Sequence, residues 1–316
     1  MQIFFDTLII MALAVPLILL FLLVHHLVSR PTSPWHNHRH HAMGLGFMLT
    51  AFYLIISWGS FLEPYFFINH KVPLHFGLSK PVRIVFLADA QVGPYKRAFF
   101  MKKVASKVLA ANPDLVIFGG DLVMNADAPP EREAAMLEPL SRVAQEVPFY
   151  AVLGNHEFGY GEPSLTYRGV DVHTVVHDTL EHYGIDVLVD EERLVSVQGQ
   201  QLRIVGLNDL WGSGFKVMEV APSPLPTVAV THNPDSVYYL NSKVIDLLLT
   251  GHTHGGQIRL PVLGALGYAD TRLPMRYYKG LSVINGILLY VTGGIGESGP
   301  RARLFNIPEI TVIDID

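Results

Sequence analysis

Five short apolar runs in this chain each break off at polar, metal-capable residues, and that repeated ending limits the folds open to it. "VRIVFLAD" (82–89) and "DLVIFGGD" (114–121) end in Asp, and "PFYAVLGNHE" (148–157) ends in Asn, His and Glu. "TVAVTHNPD" (227–235) runs into His232, and "VIDLLLTGHTH" (244–254) runs into two histidines one residue apart. Runs this short, rich in Val, Ile and Leu without alternation, read as strands buried on both faces. Between the first three, "RAFFMKKVASKVLAANP" (97–113) and "PEREAAMLEPLSRVAQEV" (130–147) carry helical spacing. Such alternation predicts a layered α/β domain. "LVSVQGQQLRIVGLND" (194–209) reads as a hairpin turning near Gly199, while 281–294 and 309–316 read as strands that close the sheet. Residues 80–316 are expected to form one domain.

In open α/β sheets, binding sites form outside the carboxyl ends of strands. The five endings can therefore gather Asp89, Gln91, Asp121, Asn155, His156, His232, His252 and His254. Carboxylates, imidazoles and amide oxygens together suit Mn, Fe or Zn far better than Ca. Asp121 could bridge two ions about 3.5–4 Å apart, the spacing of two-metal hydrolytic centres. Glu157 is expected to be a structural neighbour of the site. His173, His177 and His182 fall on a helical stretch and read as surface residues.

The first 63 residues have a different texture. Residues 3–24 contain one charge, Asp6, and residues 42–62 contain none. Each run meets the length of about 20 residues needed to cross a bilayer core. The first lacks the basic start and small-residue cleavage site of a signal peptide. Two spans, about 3–28 and 42–62, are expected to form a transmembrane hairpin (1–63), followed by a linker (64–79). The intervening "SRPTSPWHNHRHH", with His36, His38, His40 and His41, reads as a polar turn. Arg30 and Arg39 in that turn place the domain on the exported side, whereas Lys71, Lys80 and Arg83 argue the reverse; the denser charge is in the turn. A net charge of −5 gives no sign of nucleic-acid binding, and with no cysteine there are no disulfides or thiolate ligands.

The ordered blocks Asp89-Ala90-Gln91, Gly120-Asp121, Gly154-Asn155-His156-Glu157, His232 and Gly251-His252-Thr253-His254 resemble the calcineurin-like metallophosphoesterases over residues 80–316. That resemblance implies an αββα sandwich and hydrolysis of a phosphodiester or pyrophosphate bond by two divalent ions, Mn first, with Fe or Zn as alternatives. It assigns Asp89, Gln91, Asp121 and His254 to one ion, and Asp121, Asn155, His232 and His252 to the other. His156 would not ligate; it would protonate the leaving oxygen or stabilise charge on the phosphoryl group. The family pattern usually has histidine at Gln91, and an amide oxygen is a harder, less basic donor.

"GHTHGGQIRLP" resembles the bacterial membrane-associated branch acting on lipid-linked phosphoesters. It implies a place in a bacterial inner or plasma membrane and a substrate such as UDP-2,3-diacylglucosamine or a phospholipid. Residues 259–281 should form the rim, where Arg272, Arg276, Lys279, Tyr268, Tyr277 and Tyr278 could meet a headgroup. The alternative is a membrane-tethered binding or scaffolding protein on a decayed fold, with Gln91 as its first lost ligand.

Overall fold

Apolar runs bounded by Gly, Pro and Asp become short strands because neither face tolerates water. The computed structural model describes residues 2–125, 129–160, 169–212, 219–267 and 269–316; Tyr268 lies outside them. The strands are β1 (Ile68–Leu74), β2 (Val82–Leu87), β3 (Leu115–Gly119), β4 (Phe149–Val152), β5 (Asp186–Val187), β6 (Glu191–Val197), β7 (Gln200–Gly206), β8 (Thr227–Val230), β9 (Leu247–Thr250), β10 (Arg259–Leu260), β11 (Gly264–Ala265), β12 (Gly280–Ile284), β13 (Ile287–Val291) and β14 (Glu309–Ile315). One six-stranded sheet runs β1-β14-β2-β3-β4-β5 and a second runs β12-β13-β9-β8-β7-β6, with β10-β11 as a small separate ribbon. Strands β2 to β5 are parallel, as are β7, β8, β9 and β13.

The two sheets pack face to face. Ile84, Phe86, Leu115 and Ile117 of the first meet Ile204, Val228, Val230 and Leu249 of the second. On the outer face of the first sheet, Val85, Leu87, Val116 and Phe118 pack on Phe100, Met101 and Val104 of the helix Ala98–Ala110. The outer face of the second sheet is covered by Val237, Leu273 and Tyr278, which lie on 3₁₀ turns and irregular chain. Four layers result, and they bring the carboxyl ends of β2, β3, β4, β8 and β9 together.

Three local expectations are corrected. The stretch 281–294 is a hairpin: Asn285 and Gly286 both have positive φ (50° and 77°), the backbone of a two-residue type I′ turn. Residues 130–147 form separate helical turns, with Pro139 inside a 3₁₀ segment instead of a continuous helix. The stretch 64–79, expected to be a linker, contains β1, which pairs in parallel with β14.

The helix Gln2–Ser29 packs against the helix Arg39–Ser57, with Leu20 and Leu23 close to Gly46. These helices are long and apolar enough to cross a membrane. Most of their large apolar side chains, among them Ile3, Phe21, Phe47 and Met48, face outward. Both ends opposite the turn meet the domain. Asp6 accepts from the Tyr95 hydroxyl at 2.6 Å, and Arg303 N donates to Gly59 O at 2.8 Å.

Candidate metal centre

Five of the expected ligand residues sit in left-handed backbone: Asp89 (φ 57°), Gln91 (49°), Asp121 (55°), His252 (70°) and His254 (49°). The ends of β2, β3 and β9 thus reverse sharply, which aims successive side chains at one point. Such a conformation costs a non-glycine residue about 1–3 kcal/mol and persists only where the surroundings enforce it. The crossing chains are close: a Cβ on Gly154 would lie 2.3 Å from Asp121 Oδ1 and 2.5 Å from Asp121 N. Only glycine fits there.

Each of the four histidines uses one ring nitrogen on a backbone carbonyl. His232 Nδ1 lies 2.8 Å from Gly119 O, His254 Nδ1 3.3 Å from Gly296 O, and His156 Nδ1 3.0 Å from Met124 O. His252 does the same with its other nitrogen, placing Nε2 3.2 Å from Asp270 O. A carbonyl can only accept, so a hydrogen on those nitrogens satisfies it and leaves the opposite nitrogens of His254 and His156 turned inward as acceptors. Backbone partners of this kind fix the ring and its tautomer at metal sites.

The inward atoms lack donors. His252 Nδ1 faces Asn155 Oδ1 at 3.1 Å, and the Asn155 amide nitrogen is occupied by Tyr160 O. A neutral ring has one hydrogen for these two oxygens, Asn155 Oδ1 and Asp270 O, so at one of them two acceptors face one another. Asp89 Oδ2 and Gln91 Oε1 are buried and make no hydrogen bond, and His232 Nε2 lies 3.2 Å from Asp121 Oδ2. Gln91 Nε2 donates to Asp121 Oδ2 at 2.7 Å, which turns Oε1 away. Asp89, Asp121 and His254 offer ligand atoms within 4.8 Å of one another. A divalent cation among these lone pairs would satisfy all of them, so the donor set fits metal. His156 Nε2 stands 3.9 Å from Asp121 Oδ2.

Electrostatics agree with that fit. Burial pushes Asp89 up to about 7, and Asp121 adds to the rise. Burial also works to raise Asp121, but His232 and His156 hold it well below the usual carboxylate range. Burial opposes charge on His232, yet Asp121 and Asp89 lift it to about 10. Burial lowers His252 to about 3 and takes His254 well below its ordinary value. A proton held among carboxylates on His232 marks where positive charge is needed, and ligation requires the neutral imidazole.

Several participants carry no signal in the sequence beyond their neighbours. Glu157 accepts four backbone N–H groups: Oε2 from Asp121 (3.0 Å) and Gly154 (2.7 Å), and Oε1 from Leu122 (2.8 Å) and Val123 (3.0 Å). It clamps two ligand-bearing turns together. Asp235 accepts from Thr271 Oγ1 at 2.6 Å and from Arg272 N, holding the segment whose Asp270 carbonyl orients His252. The Trp211 ring meets His252 edge-on, with centroids 4.6 Å apart. Two rim expectations are corrected. Tyr278 is fully buried with its hydroxyl on Ala269 O, and Lys279 is engaged 2.7 Å from Glu309 Oε2. Arg272 and Arg276 are exposed, over the rings of Tyr238 and Tyr277.

A two-sheet sandwich whose strand ends gather carboxylates, amides and carbonyl-anchored imidazoles defines a metal-dependent phosphoric ester hydrolase. The chain belongs to the calcineurin-like phosphoesterase family, which matches residues 82–256. It is 30% identical over 257 residues to phosphodiesterase YaeI of Escherichia coli, covering 81% of this chain and 90% of that protein. It is 27% identical over 320 residues to the UDP-2,3-diacylglucosamine pyrophosphatase LpxG of Chlamydia trachomatis, covering 84% and 94%. Among solved structures, the phosphopantetheinyl hydrolase PptH of Mycobacterium tuberculosis aligns over 71% of this chain and 92% of that one, at 12% identity and a TM-score of 0.36.

Proposed function

We propose that the chain is a membrane-anchored, dinuclear phosphoesterase that hydrolyses a phosphodiester or pyrophosphate bond in a lipid-linked substrate. The observation that carries this is the set of inward polar atoms short of donors, above all the His252 ring, whose Nδ1 and Nε2 face Asn155 Oδ1 at 3.1 Å and Asp270 O at 3.2 Å with one hydrogen between them. Asp89, Gln91, Asp121 and His254 would hold one ion, and Asp121, Asn155, His232 and His252 the other. Bound there, divalent ions supply Lewis acidity and lower the pKa of a water. The carbonyl partners keep the imidazoles aimed, and His232 would give up its proton to ligate. His156, held by Met124 O and 15% exposed at its side chain, keeps Nε2 toward the reacting group as proton donor or charge stabiliser.

Membrane anchoring is supported by the two long apolar helices, whose open ends sit on the domain. A substrate such as UDP-2,3-diacylglucosamine or a phospholipid accords with the similarity to LpxG. Arg30 and Arg39 in the hairpin turn, set against Lys71, Lys80 and Arg83 beyond it, support an exported domain on a bacterial inner or plasma membrane. Because the chain has no cysteine, a single cysteine introduced at Ser223 reports the exposed side through an impermeant thiol reagent.

The test is elemental analysis of the full chain in detergent together with turnover of bis(p-nitrophenyl) phosphate. Two ions per chain and measurable turnover are expected, with Asp121→Asn losing both ions together. Two tightly held ions without turnover of aryl phosphodiesters or diacylated sugar nucleotides would favour a binding protein on a decayed fold. Full metal occupancy in Asp121→Asn would remove the bridging role.

A further inference from the structure

The end of the second apolar helix reaches the metal centre through one residue. Asn306 is 2% exposed and uses every polar group it has. Its N–H donates to Glu63 Oε1 at 2.6 Å, and its carbonyl accepts from Arg303 Nη1 at 3.1 Å. Its Oδ1 accepts from Lys279 Nζ at 3.2 Å, and its Nδ2 donates to His254 O at 2.7 Å. Glu63 is itself 1% exposed, and its other oxygen accepts from Trp58 Nε1 at 2.8 Å.

A second strand of the same connection runs through Arg303. Its N–H bonds Gly59 O at 2.8 Å, and its Nε lies 3.1 Å from Gly296 O, the carbonyl that also faces His254 Nδ1. The approach of helix to loop is close: a Cβ on Gly59 would lie 2.8 Å from Arg303 O. His254 is therefore gripped at its backbone by Asn306 and at its ring by Gly296, and both grips lead to residues 59–63. His254 has left-handed backbone (φ 49°), so it needs such restraint to stay in place.

We propose that Asn306 and Glu63 are positioning residues, which make the end of the second apolar helix part of the apparatus holding His254. This rests on the two-ion reading above. Neither residue touches substrate; both act through His254. Partners one step behind a ligand typically set metal affinity by about 10–100-fold. The effect should fall on the ion that His254 holds and leave the other ion unchanged.

The experiment uses the full chain in detergent, stripped of metal and titrated with Mn while calorimetry resolves the two sites. Asn306→Ala should weaken one site by about 10–100-fold with the other within twofold. Glu63→Ala should act in the same direction more mildly, and Glu63→Gln, which keeps an acceptor for Asn306 N, should restore most of the loss. The double variant Asn306→Ala/Glu63→Ala should bind no worse than Asn306→Ala alone, because the link from residue 306 to His254 is already cut. On bis(p-nitrophenyl) phosphate at saturating Mn, kcat should recover while the Mn requirement stays raised. Asn306→Asp, which keeps size but loses the Nδ2 donor, repeats the test if the alanine variant unfolds.

Unchanged affinity at both sites in a folded Asn306→Asp, or equal weakening of both, would overturn the proposal. Additive losses in the double variant would overturn the coupling through Asn306. A parent protein that binds no Mn at all would instead refute the two-ion reading, which the same titration reveals at its first step.

Discussion

Replacing Glu157 with glutamine tests how much of the centre is held by a group that never needs to meet a metal. Its two oxygens serve four buried N–H donors, two apiece. Burial and Asp121 push its pKa up to about 8, against the pull of the Val123 and Gly154 N–H groups. With four donors around it, the carboxylate is the form that fits. A glutamine offers one oxygen and one NH₂, so two of the four N–H groups face another donor. An unsatisfied buried donor costs about 1–3 kcal/mol, which puts the loss at about 2–6 kcal/mol. Against a total stability of about 5–15 kcal/mol that is a large share. It corresponds to a fall in Tm of about 5–20 °C for a domain of this size. Denaturant unfolding of both proteins, metal-free and Mn-loaded, measures it. A loss under about 1 kcal/mol with unchanged Mn affinity would mean the turns at Asp121 and Gly154 hold themselves, and the clamp argument fails.

Other outcomes follow from the same geometry. His156→Gln should keep full metal content and lose about 10²–10⁴ in rate, the range for a positioned acid–base group; metal loss or full rate would contradict its role. Gln91→His should raise Zn or Fe affinity at one site, and Gln91→Ala should weaken that site and lower turnover at limiting Mn; superimposable Mn titrations would mean the amide oxygen does not ligate. Lys96 is buried 3.2 Å from Glu297, over the Tyr65 and Phe100 rings, and burial lowers its pKa to about 8. Between about pH 8 and 10.5 the unfolded chain then binds more protons than the folded one, so stability should rise with pH by up to about 3 kcal/mol. Unfolding midpoints across that window, compared with Lys96→Met, check the sign; a flat difference refutes it.

The convergence of these side chains was legible because an apolar strand has no local reason to end in Asp, Asn or His, and five strands doing so point to a shared destination. The groups behind the ligands were not. Asn306 lies in "RLFNIP", and three of its four contacts, with Glu63, His254 and Lys279, come from distant chain. Tyr278 and Lys279 read as rim groups because such residues are usually exposed, and only tertiary packing buries the first and half-buries the second against Glu309. Strand β1, "INHKVPL", alternates poorly and contains Pro73, a composition tolerated at the sheet edge it occupies. The β12–β13 turn did announce itself as Asn285-Gly286, within a run whose apolar content suggested unbroken strand.

The left-handed backbone at Asp89, Gln91, Asp121, His252 and His254 sets two kinds of selection against each other. At such a φ an ordinary side chain costs roughly 1–2 kcal/mol that glycine does not. In metal-free protein, glycine at these positions relaxes the chain, offset only by the side-chain contacts it gives up. Laboratory evolution scored on heat resistance without added metal would press on the very residues that the two-ion reading assigns to metal. Scored with saturating Mn, the same library should keep them, because bound metal then contributes to the folded state alone.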